Sequence, residues 1–247
     1  MEDSKKIAAG ATLVLLLIVG VRVYLIYRER HAPYTLPASA VPERMLTDDD
    51  TIFPRRLLPS TFKDAKSLAG KTVWVQAGGQ MEYYPYTGGA VQYAHSSGTL
   101  MGDDELHVKN AILAVAPKSA TFRIPGGDKH LLLVFTKAGD DKDDKKEYAV
   151  PVGFEQGGEF TFYLDEMLLY DNPRTIYHWP QSTWVAIDKH IAVPGMTEKA
   201  VMLSLGQVSS SESQNIGNRT VEYFNVGHPV RVIFANNVAA EVKVVNQ

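Results

Sequence analysis

Four regimes of hydrophobic patterning follow one another along the chain. Residues 7–21 (IAAGATLVLLLIVGV) are uncharged and mostly apolar, and residues 22–27 (RVYLIY) extend the run to twenty-one. At about 1.5 Å of rise per residue a helix of that length reaches roughly 31 Å, the thickness of a bilayer core. The pattern predicts a transmembrane helix over 7–27, with Arg22 snorkelling to the headgroups and Tyr24 and Tyr27 in an interfacial belt. A cleaved signal peptide competes with this reading, since Lys5 and Lys6 precede the leucine-rich run and Ala38-Ser39-Ala40 is a small-residue triplet. That triplet stands far from the apolar core, with RERH at 28–31 between them. A cytoplasmic tail over 1–6 and a large C-terminal region place the expected body outside the cytoplasm, on a single-pass anchor in the inner membrane.

The second regime, residues 28–60, has almost no periodicity and carries Pro33, Pro37, Pro42, Pro54 and Pro59, the composition of a partly extended spacer. Over 61–170 short β-branched and aromatic runs alternate with Gly and Pro, which predicts an antiparallel β domain, a barrel or small sandwich. Strands are expected at 72–76, 82–86, 90–94, 105–108, 111–115, 119–124 and 159–164. The clearest pair is 130–136 (HLLLVFT) and 147–152 (EYAVPV), joined by the charged loop 137–146. Over 171–247 the pattern changes to a small α+β module. Asp171-Asn172-Pro173 resembles a helix start, 181–190 a second short helix, and 198–205 a third with an apolar stripe of Val201, Met202 and Leu205. Thr197 is the expected N-cap of that third helix and Gly206 its left-handed stop. Strands at 219–225, 229–235 and 238–245 follow, the last two linked tightly by Asn236-Asn237. The expected fold class is therefore α+β, mostly antiparallel β: an N-terminal transmembrane helix, a β-barrel domain, then a helix-plus-meander module.

Gly195-Met196-Thr197, Leu205-Gly206, Tyr223 and residues 234–238 follow the order of a G-M-T step, a helix ending in L-G, an aromatic-containing strand and an F-x-N-G-x-V-type hairpin. About sixty residues here resemble the SmpA/OmlA family, the fold of the small outer-membrane lipoprotein of the β-barrel assembly machinery. The resemblance implies a fold and an envelope-associated interaction module. The family's lipobox cysteine is missing, and Gln207-Val208 stands where proline commonly follows L-G. Gly70-Lys71-Thr72-Val73-Trp74-Val75 weakly resembles an SH3-type barrel strand.

Composition narrows the chemistry. A formal charge of −3 with pI about 6.2 supplies no global positive field for a polyanion, so nucleic acid is not an expected partner. The absence of cysteine excludes disulfides, thiolate metal sites and a cysteine nucleophile. Seven scattered histidines show no i, i+4 pair of the helical zinc type, and His95-Ser96 lacks the G-x-S-x-G elbow of a hydrolase. Asp140, Asp141, Asp143 and Asp144 miss the calcium-loop register and alternate with lysines, as a solvated hairpin tip does. Gly78-Gly79, Gly88-Gly89 and Gly126-Gly127 lack the Lys-Ser/Thr ending of a phosphate loop and read as turns. No cofactor, metal or catalytic set is expected.

Aromatic residues are the one surplus. Tyr83, Tyr84, Tyr86 and Tyr93 cluster beside Gly88-Gly89 and form the candidate binding face, with filling of the barrel interior as the alternative. Trp179 and Trp184 are expected to pack between the two modules. The functional expectation is a membrane-anchored, non-catalytic interaction or assembly module of the bacterial cell envelope, engaging an envelope protein. A cell-wall or glycan-binding module is the alternative, and a hydrolase a more remote one.

Overall fold

A computed structural model describes residues 17–28, 30, 46–76, 81–115, 117–118, 127–139 and 146–245. The chain divides into two compact units, Met1–Glu43 and Arg44–Gln247. In the first, the described residues form one helix, α1, over 17–28. Among the described residues no helix is long and apolar enough to cross a membrane. This corrects the single-pass transmembrane helix expected at 7–27, and with it the inner-membrane placement. The described helical residues 17–28 account for about 18 Å of rise, against a hydrocarbon core of about 30 Å. Residues 7–16 of the expected span, the tail 1–6 and residues 31–45 of the spacer lie outside the described residues.

The second unit begins with a strap rather than a free spacer. Its first turn, α2 (Asp48–Thr51), is fixed by Asp50, whose carboxylate accepts from the Thr47 amide at 2.7 Å and the Thr47 hydroxyl at 2.8 Å. Downstream, the Arg55 guanidinium donates to the Tyr170 carbonyl, and the Leu57 and Leu58 amides donate to the Asp165 carboxylate at 2.8 and 2.9 Å. Helix α3 (Phe62–Lys66) repeats the capping box with Thr61 and Asp64 and buries Ala65.

Among the described residues nine antiparallel strands make the main sheet: β1 (Thr72–Val75), β2 (Met81–Thr87), β3 (Ala90–Val91), β4 (Gly98–Leu100), β5 (Glu105–Val115), β6 (Lys129–Lys137), β7 (Glu147–Gln156), β8 (Glu159–Phe162) and β9 (Leu168–Leu169). The ladder runs β3-β2-β7-β6-β5-β1-β9, with β4 on β2 and β8 on β7. The runs expected separately at 105–108 and 111–115 are one strand. Its register slips from Val108 opposite Phe135 to Asn110 opposite Val134, leaving Lys109 unopposed. That bulge changes the parity of inward positions, so Leu106, Val108 and Ala111 all reach the same core. The unbroken apolar run of β6 also has a physical account. Leu131, Leu133 and Phe135 enter the main core beneath α3 and α4 (Leu164–Met167), while Leu132 and Val134 are buried on the opposite face. The strand expected at 119–124, Gly78-Gly79 and the four aspartates at 140–144 lie outside the described residues.

The C-terminal module comprises α5 (Pro173–Ile176), α6 (Gln181–Asp188), α7 (Glu198–Leu205) and a four-stranded antiparallel sheet, β10 (Val208–Ser211), β11 (Thr220–Tyr223), β12 (Val230–Ala235) and β13 (Val238–Val244), in sequential order. Each expected cap is present: Asn172 accepts from the Arg174 amide at 2.9 Å, Thr197 accepts from the Ala200 amide at 3.3 Å, and Gly206 ends α7 at φ 89°. Strand β10 carries only exposed residues, so its hydrophobic pattern is silent and the sequence reading missed it. The module's core gathers Trp184, Ile187, Val201, Leu205, Tyr223 and Phe234, and takes in Leu169 and half-buried Trp74 from the main sheet.

Candidate functional site

Strand alternation divides the tyrosine cluster. Tyr83 points into the main core, where its ring meets Phe135 at 5.9 Å and the edge of Tyr148 at 5.0 Å. Its neighbours Tyr84 and Tyr86 lie on the opposite face. There Tyr84 stands across from Ala149 and Tyr86 across from Val91 and Glu147. The two-residue link Gly88-Gly89, with φ 63° and 78°, supplies the left-handed pair that closes the β2–β3 hairpin. The chain then returns so that Tyr93 lies over the same face, 5.3 Å from the Tyr84 ring and 5.6 Å from the imidazole of His130.

Three of the four expected residues, Tyr84, Tyr86 and Tyr93, are thus brought together and the fourth, Tyr83, is not. The floor of the face is Leu132, Val134 and Ala149; half-buried Tyr86, Val91, Tyr93, Ile112 and Ala114 surround it. Tyr84 is 8% exposed and donates its hydroxyl to Glu82 at 2.9 Å, which fixes its ring in the face.

His130 is the member that the sequence reading missed. It is the second residue of β6, opposite Ala114 on one side and Phe154 on the other, and is 2% exposed. Its Nδ1 lies 3.3 Å from the Tyr93 hydroxyl, while Nε2 is buried with no hydrogen-bond partner among the described residues. Burial holds the imidazole below its ordinary pKa, only partly opposed by Asp128. Burial also pushes the Tyr93 phenol up to about 12, with Tyr84 adding to the shift. At neutral pH a neutral imidazole and a neutral phenol share one hydrogen bond. The available signal was the polar residue at the head of a run too apolar to be covered on one face only.

The face therefore offers aromatic planes, an aliphatic floor and two neutral polar groups. Among the described residues no three His, Asp or Glu side chains gather as a metal site would require. The second aromatic group lies elsewhere: Tyr177 and Trp179 stack at 4.4 Å and 4°, and Trp179 lies 5.1 Å from buried Trp184. No family model, curated protein or solved structure matches the chain.

Proposed function

We propose that the Arg44–Gln247 unit is a non-catalytic interaction module that engages a protein partner through the aromatic face of its main sheet. The observation that carries this reading is the floor of Leu132, Val134 and Ala149 under half-buried Tyr86, Val91 and Tyr93, on the side of the sheet away from α3 and α4. Rigid aromatic rings add contact area at low entropic cost, each well-placed ring contact contributing about 0.5–1.5 kcal/mol beyond its buried area. The SmpA/OmlA resemblance of 195–238 agrees with an assembly role, through a scaffold rather than through shared site residues.

The test is site-specific photocrosslinking in cells from position 86, with position 231 on the small sheet as control. A discrete protein adduct from 86, lost on Tyr93→Ser without a change in melting temperature, is the expected result. Equal labelling from both positions overturns the reading. So does retention on purified cell wall that Tyr86→Ser abolishes, which assigns the face to a glycan.

A further inference from the structure

The strap 47–52 does not lie on the body as a featureless tether. Asp49 is only 6% exposed. Its Oδ1 accepts from the Trp179 indole N–H at 2.7 Å and its Oδ2 accepts from the Thr197 hydroxyl, which in turn accepts from the Ala200 amide. The Lys199 ammonium donates to the Asp49 carbonyl at 2.6 Å while lying 5.4 Å over the Tyr177 ring. Three residues later Ile52 packs against the apolar core of the C-terminal module.

These contacts have the form of a ligand in a receptor. One carboxylate is held by two directional donors, one main-chain carbonyl by a cation, and one branched side chain by an apolar seat. The turn that presents them is set by the strap's own Thr47–Asp50 box, so the bound conformation is specified within the segment. The receptor groups, in contrast, all come from residues about 130 to 150 positions away.

We propose that Tyr177, Trp179, Thr197 and Lys199 form a recognition site for an acidic peptide, an aspartate followed three residues on by a branched apolar residue, which this chain fills with its own residues 47–52. The site is distinct from the aromatic face of the main sheet and does not depend on it. Tethering gives the strap an effective concentration on the order of millimolar, so an outside peptide competes poorly until the strap is weakened.

The test uses the full chain and a fluorescent peptide of residues 45–54 measured by anisotropy. Asp49→Asn in the chain is expected to open the site, so that this variant binds the peptide saturably and at least tenfold more tightly than the unaltered chain. Lys199→Ala added to that variant, or Asp49→Asn in the peptide instead, is expected to lower binding at least tenfold. Equal binding by the variant and the unaltered chain, or equal binding of native and Asn-bearing peptide, overturns the proposal. Ile52→Ser opens the same site from its apolar end and decides the matter if the Asn variant misfolds. On the unaltered chain, hydrogen exchange over 47–52 is expected to quicken at millimolar peptide, and unchanged exchange there also overturns it.

Discussion

His130 illustrates how a single residue can make this protein sensitive to mild acid. Its native pKa lies below the ordinary value of 6.5, so the unfolded chain binds the proton more readily than the native one. Stability from this group is flat above about pH 6.5, falls as pH drops from there, and levels off below the native value. Urea midpoints taken between pH 8 and 5.5 are expected to decline for the unaltered chain and to decline less for His130→Phe. Identical pH profiles refute the assignment. Tyr223 supplies the opposite kind of test. Its hydroxyl is buried without a hydrogen-bond partner among the described residues, and burial raises its pKa. Removing an unsatisfied buried hydroxyl costs little or is favourable. Tyr223→Phe is therefore expected to leave stability unchanged or raise it by up to about 1 kcal/mol, measured by chemical denaturation; a loss above that figure reveals a partner for the hydroxyl.

At the scale of elements, the turn between β12 and β13 carries a sharp requirement. Asn236 and Asn237 adopt φ 53° and 69°, and the Asn236 amide donates to the Asn218 side chain at 2.8 Å while the Asn237 amide donates to the Gly217 carbonyl at 2.9 Å. A β-branched residue in that left-handed conformation costs roughly 1–2 kcal/mol. Asn236→Val should lower the urea midpoint accordingly and Asn236→Gly should not; equal midpoints contradict the turn geometry. This hairpin was legible in the sequence, as was α7, because cap, stop and turn residues act on neighbours a few positions away. Other features were not. The bulge at Lys109 looks like a gap between two strands until the partner β6 is known. Strap 46–60 reads as spacer because Asp49, Arg55 and the Leu57 amide find their partners more than a hundred positions away. Of the tyrosine face, alternation along β2 is local, whereas the approach of Tyr93 to His130 arises only from the return of the chain. Of the apolar run 7–27, the described residues 17–27 are helical and its first ten lie outside the described residues.

Across the Arg44–Gln247 unit, the main sheet and the C-terminal module meet at a turn that only glycine can occupy. A Cβ built at Gly102 would lie 1.8 Å from the carbonyl oxygen of Leu203 in α7. Beside it, the Arg174 guanidinium pairs with Asp103 at 2.6 Å and with Asp188, and lies 4.8 Å over the Trp184 ring. Burial raises the Asp103 carboxyl above its ordinary pKa even with this arginine against it, which marks the junction as partly dehydrated. Leu169 and Trp74 of the sheet enter the module's core, so the two parts share apolar burial and are expected to unfold in one calorimetric transition. Gly102→Ala forces either the turn or α7 to move, a misfit of the kind that costs about 1–3 kcal/mol. For about 200 residues this amounts to a fall of roughly 2–12 °C in melting temperature. The opposing atom belongs to the main chain, so shortening the neighbour by Leu203→Ala cannot relieve the clash and should add its own loss instead. A Gly102→Ala protein that melts with the unaltered chain, or one rescued by Leu203→Ala, shows that the turn and α7 are not pressed together.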